Sequence, residues 1–204
     1  MTNKPFSQAC ENNKQPILKI LTEVFSRRQH VLEIGTGTGQ HAVFFGQHLP
    51  HLTWQTSDLL RNHQGINLWL DETNCANVKK PIVIDLNKAG AISKDTLSID
   101  CIDGIYTANT LHIISWSLVV NFFNDIGNQL TPKASVCIYG PFKYQGKFTS
   151  ESNAKFDLWL KERDINSGIR DIEAILSLAD SVDLKLTDDH EMPDNNRLLV
   201  FSKV

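Results

Sequence analysis

The chain has 204 residues, 41% hydrophobic and 21% charged, with a formal net charge of −3. That balance is ordinary for a globular protein and leaves ample chain for one domain, 1–204, to bury a core. It excludes a basic nucleic-acid footprint, a membrane span of ~20 apolar residues, and CxxC chemistry, because Cys10, Cys75, Cys101 and Cys137 are scattered. Met1-Thr-Asn-Lys-Pro-Phe lacks the apolar run of a signal peptide. The expectation is a soluble cytoplasmic protein with no metal site and no nucleic-acid or membrane partner.

The first fifteen residues are polar and read by pattern as a solvated, frayed terminus. Pro16 then opens a helix in which Ile17, Leu18, Ile20, Leu21, Val24 and Phe25 share one stripe, with proline suited to a first turn. His30 to Ile34 is a buried strand. It breaks into glycines on alternate positions, Gly35, Gly37 and Gly39, and a helix from Gln40 is stopped by Pro50. Leu52 to Thr56 is a second strand with Asp58 at its end, followed by a helix with Ile66, Leu68, Trp69 and Leu70. Pro81 to Ile84 is a third, ending in Asp85-Leu86, and Cys101 to Ala108 a fourth, ending at Asn109. Cys101 and Cys137 sit in apolar runs and read as reduced core residues.

Trp116 to Leu130 is an amphipathic helix, and Ala134 to Tyr139 a fifth strand closed by Gly140-Pro141. The segment 142–180 is rich in Gly, Ser, Asn and Lys. It carries helices at Asn153 to Lys161 and Arg170 to Ala179, and reads as a lid or substrate segment over a domain whose residues 1–29 form an N-terminal cap and helix. Two late strands, Asp183 to Thr187 and Arg197 to Ser202, flank a turn, Met192-Pro-Asp-Asn-Asn196. Alternating strands and helices imply α/β architecture: a doubly wound, mostly parallel sheet of seven strands, Rossmann-like, with the last two closing as an antiparallel hairpin. Trp54, Trp69, Trp116 and Trp159 are assigned to core or interface packing.

In such sheets the ligand lies beyond the carboxyl ends of the strands, at the switch in strand order. The strand ends here offer Glu33, Gly35, Thr36, Gly37, Thr38 and Gly39, then Asp58, Asp85, Leu86, Asn109 and Tyr139. Asp58 stands at about the 20-residue spacing of a ribose-binding acid, and Asp85 is placed to take an adenine amine with Ile84 and Leu86 against the ring. A dinucleotide turn counted from Gly35 and Gly37 wants a third glycine where Gln40 stands; counted from Gly37 and Gly39 it meets Ala42, an allowed but later register. Glu33 discriminates better, since ahead of the loop it would repel a phosphate. S-adenosylmethionine (SAM), with an ammonium and a sulfonium, tolerates that carboxylate. The cofactor expectation is therefore SAM, with NAD the rival.

Val31-Leu-Glu-Ile-Gly-Thr-Gly-Thr-Gly39 resembles the SAM-binding motif of class I methyltransferases. Glu11-Asn-Asn-Lys-Gln-Pro-Ile-Leu18, Gly37-Thr-Gly-Gln-His-Ala42, Trp54-Gln-Thr-Ser-Asp58 and Ala108-Asn-Thr-Leu-His-Ile113 resemble the methyltransferase-like domain-of-unknown-function 938 family. So do Tyr139-Gly-Pro-Phe142, Ser152-Asn-Ala-Lys-Phe-Asp157, Gly168-Ile-Arg-Asp171 and Met192-Pro-Asp-Asn-Asn196. The resemblance covers nearly the whole chain. It implies the fold and SAM, and it moves the polar N-terminus toward a cap over the SAM site. Asn12 departs from it, since an arginine is expected there.

Methyl transfer needs alignment in a dry pocket, and a base only when the nucleophile must lose a proton. Asn109, His112 and Tyr139 are the candidate catalytic residues. His112 reads either as base or substrate ligand or as a buried histidine satisfied by backbone, and Tyr139 either as a substrate contact or as a core-edge tyrosine. His41 reads as a helix-start packing residue. Asn13, His112, Tyr139, Arg170 and Asn195 are the candidate contacts to a small-molecule acceptor. Arg170 reads equally as a salt-bridge partner of Asp157 or Asp171, and Asn195 as a turn residue. A SAM-binding sensor without catalysis is the second reading and an NAD-dependent oxidoreductase the third.

Overall fold

The computed structural model describes residues 4–73, 75–88, 90–93 and 102–204. Its centre is a sheet of seven strands in the order β3-β2-β1-β4-β5-β10-β9. The strands are β1 (His30–Ile34), β2 (Thr53–Asp58), β3 (Val78–Val83), β4 (Ile102–Ala108), β5 (Leu130–Gly140), β9 (Leu184–Met192) and β10 (Asn196–Lys203). Pairings among β1 to β5 are parallel; β10 pairs antiparallel with both β5 and β9. The chain winds outward from β1 to β3 and returns to β4, so the switch point lies between β1 and β4.

Both faces of the sheet are covered. Alternation along β1 sends Val31 to one face and Leu32 and Ile34 to the other. On the Val31 face lie α1 (Gln8–Val24), α2 (Gln40–His48) and α3 (His63–Thr73), contributing Ile17, Leu21, Phe45, Ile66 and Leu70. On the other lie α4 (Trp116–Gln129) and α6 (Ile172–Asp180), contributing Phe122, Phe123, Ile126, Ile172 and Ile175. Of segment 142–180, α6 thus belongs to the core, and α5 (Glu151–Arg163) stands over the strand ends. The segment also forms a small sheet, β7-β6-β8, from β6 (Phe142–Tyr144), β7 (Lys147–Phe148) and β8 (Arg170–Asp171).

The expected hairpin closes through Pro193 to Asn196. Asp194 and Asn195 both take positive φ, 59° and 57°, and the Asn196 N–H returns to the Pro193 carbonyl. Three residues, Pro193 to Asn195, thus separate the paired Met192 and Asn196, and the two positive φ values are ones that Asp and Asn tolerate.

Several boundaries differ from the pattern reading. The polar lead is not frayed: α1 begins at Gln8 with the Ser7 hydroxyl accepting from the Cys10 N–H, and Pro16 lies inside the helix, not in its first turn. β3 starts earlier and stops before Ile84, and β5 starts directly at the end of α4. Cys101 lies outside the described residues, while Cys137 is buried in the core as expected. Trp54 is fully buried, as a core assignment requires, whereas Trp116 and Trp159 are exposed and Trp159 lines a cavity. No helix among the described residues is long and apolar enough to cross a membrane.

Gly46 lets α2 sit on β3: an added Cβ would come within 2.1 Å of a Val78 methyl. A helical Gly→Ala change ordinarily gains about 1 kcal/mol, whereas overpacking costs roughly 1–3 kcal/mol. Gly46→Ala is expected to lose on balance, lowering Tm by roughly 2–8 °C in a thermal melt.

Candidate functional site

The β1–α2 turn is shaped by glycine where side chains do not fit. Gly35 has φ 72°, and a Cβ there would press on the Thr110 hydroxyl at 2.8 Å; Gly39 has φ 96° and meets α3 backbone at Ile66 at 3.2 Å. The turn's amides are committed within the protein. Gly35 and Thr36 N–H both donate to the Ser57 carbonyl, at 3.1 and 3.0 Å, and Gly39 N–H to the Thr36 carbonyl at 3.2 Å. Gly37 N–H donates to Asp58 Oδ2 at 2.7 Å. Asp58 Oδ1 also accepts from the Leu59 N–H and the Asn62 amide, so this carboxylate ties the turn to the end of β2.

Beneath the turn lies Glu33, 3% exposed. Its Oε2 accepts from the Trp54 indole at 3.0 Å and from the Thr36 hydroxyl at 3.2 Å. Among the described residues Oε1 has no hydrogen-bond partner and no cation stands against the group. Burial pushes its carboxyl up to about 8; the two hydrogen bonds pull it down, and the Asp58 carboxylate adds to the rise.

A cavity of about 380 Å³ opens over these groups. Of the residues expected to hold a cofactor, Glu33, Gly35, Thr36, Gly37, Thr38, Asp58, Asp85, Leu86 and Asn109 line it. Gly39 does not; it starts α2 behind the wall. The exposed Asp85 carboxyl accepts from the Asn87 amide and backbone N–H, at 2.9 and 3.1 Å, which hold it below the ordinary carboxylate range. Pattern reading missed Ser7, Cys10, Arg61, Asn62, Ile113 and Leu118, which complete the wall.

Two of those come from the N-terminal segment, which covers the cleft. Gln40, the residue in the place of a third glycine, holds it there. Its Oε1 accepts the Ser7 N–H at 2.6 Å, and its Nε2 donates to Glu11 Oε1 at 2.7 Å. One turn along, His41 Nε2 bonds Asn13 Oδ1 at 2.7 Å and the Tyr106 hydroxyl reaches His41 Nδ1 at 3.2 Å. Burial lowers His41 to about 4, so the ring is neutral, donating to Asn13 and accepting from Tyr106. His41 therefore does more than pack: it anchors α1.

A larger cavity, about 1000 Å³, adjoins the first. Ser7, Asn109 and Ile113 line both. Asn109 holds φ 55°, a left-handed conformation that asparagine tolerates better than most residues, at the tip of β4. His112, Tyr139, Asn13 and Asn195 all line this second cavity, as does Asn12. His112 is 4% exposed and edge-on to Phe156, with ring centroids 5.5 Å apart. Burial and the Arg170 guanidinium lower it to about 4. Burial pushes the Tyr139 phenol up to about 12, the Asn13 and Asn196 amides moderating the rise.

Arg170 is brought to a different use from either expectation. Its guanidinium donates to the Leu111 and Ile114 carbonyls, and to Asn166 O at 3.0 Å. Asp157 instead pairs with Lys161 and Asp171 with Lys143. Arg170 lines a separate groove beside Trp116, not the second cavity. Together with the Ser167 hydroxyl on Ile113 O and the Gly168 N–H on His112 O, it engages four successive carbonyls, Leu111 to Ile114. The strap fixes the loop that carries His112.

Residues 4–203 match the family described as Protein of unknown function (DUF938). Among solved structures, an O-methyltransferase family protein from Burkholderia thailandensis superposes with a TM-score of 0.79 at 16% identity, over 93% of this chain and 56% of that one. An O-methyltransferase family 2 protein from Planctomyces limnophilus, in complex with apigenin, does so with 0.79 at 14% identity, over 96% and 58%. PigF with S-adenosylhomocysteine gives 0.74 at 14% identity, over 93% and 61%. At such identities the likeness is one of fold: a Rossmann-like class I methyltransferase fold, with this chain spanning less than two thirds of each of those proteins.

Glu33 carries a pH signature of its own. Its folded value lies above the unfolded value of 4.5, so the folded state holds more protons between 4.5 and about 8 and loses stability as pH rises through that window. Glu33→Gln is neutral at every pH and keeps an oxygen for Trp54 and Thr36. It is expected to melt several degrees above the native chain at pH 8.5, with the gain shrinking toward pH 4.5, by scanning calorimetry.

Proposed function

The chain belongs to the DUF938 family, and on that footing we propose that it is a SAM-dependent methyltransferase acting on a small-molecule acceptor. The observation that carries the reading is Glu33: a buried carboxyl whose Oε1 has no protein partner, on the wall of a cavity with further acids, Asp58 and Asp85, at the next strand ends. A dinucleotide finds little here, because four of the turn's amides are already spent within the protein and three carboxylates face the space. When bound, SAM supplies a methyl group on an electrophilic sulfonium. Glu33 and the turn from Gly35 to Thr38 hold the methionine end, Asp58 the ribose, and Asp85 with Leu86 the adenine. The solved neighbours, named as O-methyltransferases, support a hydroxyl as the acceptor group.

Asn109 stands where the two cavities meet and orients the reacting groups. His112 stays neutral across the working pH range, so one ring nitrogen is free to take the proton of an acceptor hydroxyl. Tyr139 keeps its proton and donates a hydrogen bond to the acceptor. α1 and α5 exclude water from the junction, in the manner of a cap and a lid over residues 1–204.

An ammonium can meet Glu33 only after its proton has left. SAM affinity is therefore expected to rise with pH, up to about tenfold per unit, and to level near 8. Calorimetry at pH 7 in two buffers of different ionisation heat should show close to one proton released per SAM. Glu33→Gln should flatten the slope, and Asp58→Ala should weaken binding at every pH. An affinity that ignores pH sinks the Glu33 assignment. Labelled methyl groups should pass from SAM to small molecules of a metabolite extract, and His112→Ala should cut that rate about 100-fold with SAM affinity held within twofold. Tight SAM binding without transfer would make the chain a sensor, not an enzyme.

A further inference from the structure

The second cavity differs from the first in the kind of polarity it presents. Its buried polar groups are uncharged: His112, Tyr139, Asn13, Asn153 and Ser167. Each has bonding capacity left. Asn13 commits Oδ1 to His41 and turns its NH2 toward the Tyr139 hydroxyl, with the second N–H of that NH2 left over. Asn153 commits its NH2 to Thr149 Oγ1 and to the Asn195 carbonyl, at 2.9 and 3.0 Å, and keeps Oδ1. Among the described residues neither nitrogen of His112 is hydrogen-bonded to protein. The ionised side chains on the wall, Arg163, Asp164 and Asp194, are all exposed at the rim. Arg163 lies over the Trp159 ring at 4.5 Å, and Asp164 accepts from the Asn166 backbone and amide.

One wall is aromatic. Phe156 and Trp159, three residues apart on α5, lie nearly parallel, 19° between planes and 5.7 Å between centroids. The helix that carries them is polar on most of its surface, and Trp159 is 47% exposed. Large rings turned toward a cavity and not into the core form a shelf for another flat ring.

We propose that this cavity takes a flat, electrically neutral acceptor, a ring laid against Phe156 and Trp159 whose buried edge is hydrogen-bonded by Tyr139, Asn13 and Asn153. An ionised group at the inner end would lose its water with no counter-charge to replace it. The proposal rests on the methyltransferase reading of the adjoining cavity and adds the acceptor's chemical class.

The test uses three compounds with one ring and three charges: vanillamide, neutral; vanillate, anionic; and vanillylamine, cationic. Each is titrated by calorimetry into the full chain loaded with S-adenosylhomocysteine. Vanillamide is expected to bind at least about tenfold more tightly than either charged analogue. It should also quench tryptophan fluorescence, and Trp159→Phe should abolish the quench. Phe156→Ala should weaken vanillamide about tenfold. Equal or tighter binding of vanillate or vanillylamine overturns the proposal, as does binding of none of the three. So does an unchanged affinity in Phe156→Ala. Failure of S-adenosylhomocysteine to bind at all would instead strike the cofactor assignment, which the calorimeter reads in a separate titration.

Discussion

A carboxyl group buried without a counter-charge is the constraint on which the centre of this protein turns. Glu33 sits under the glycine turn with two hydrogen bonds on one oxygen and none on the other. Leaving such a group in place costs stability, and an apolar residue would pack there more favourably. What surrounds it is arranged to tolerate it: Trp54 brings an indole N–H from β2, and Thr36 brings a hydroxyl that also accepts the Ser57 N–H. The turn is thereby stitched to the neighbouring strand on the same residues that line the cleft. On the proposed function, a cation bound there would relieve that cost, and the protein's pH dependence would report its occupancy.

The second dependence is geometric. Asn109 in a left-handed conformation, the neutral His112 behind it and the strap over four carbonyls all lie within six residues of sequence, 109–114. Loops this close to a switch point would normally be free to adapt. Here the carbonyls are engaged from outside by 166–170, so the loop behaves as a fixed part of the scaffold. Rigid support of this kind can hold side chains to fractions of an ångström, which transfer by alignment would require on the proposed function.

Much of this was legible in the residues. The glycine turn, the acids at successive strand ends and the closing hairpin are local signals: apolar runs of strand length, each ended by a polar residue, and a Pro-Asp-Asn turn. What pattern could not show depends on contacts far apart in sequence. The polar lead becomes a helix because Gln40 and His41 bind it across separations of 33 and 28 residues, and no stripe of apolar side chains announces such a contact. Arg170 gave no sign that its partners were carbonyls, which carry no sequence identity. Nothing in the sequence around Trp159 distinguishes a cavity wall from core or interface packing: the helix that carries it faces a cavity, so the usual division into an apolar and a polar side is weak in it. The resemblance to the family pointed toward the N-terminal segment, two of whose residues, Ser7 and Cys10, line the cleft, where periodicity did not.

The N-terminal segment is shared more deeply than a cap need be. Ser7 borders both cavities, and the hydrogen bonds that seat it come from Gln40, on the turn that frames the first. Lifting the first turn of α1 enough to pass a ligand out of the inner chamber removes a wall of the outer one. The two chambers therefore share a wall on that side, and an occupant of one would rest against the segment that encloses the other. On the proposed function, exchange of cofactor and of acceptor would be coupled through the same few hydrogen bonds of Gln40.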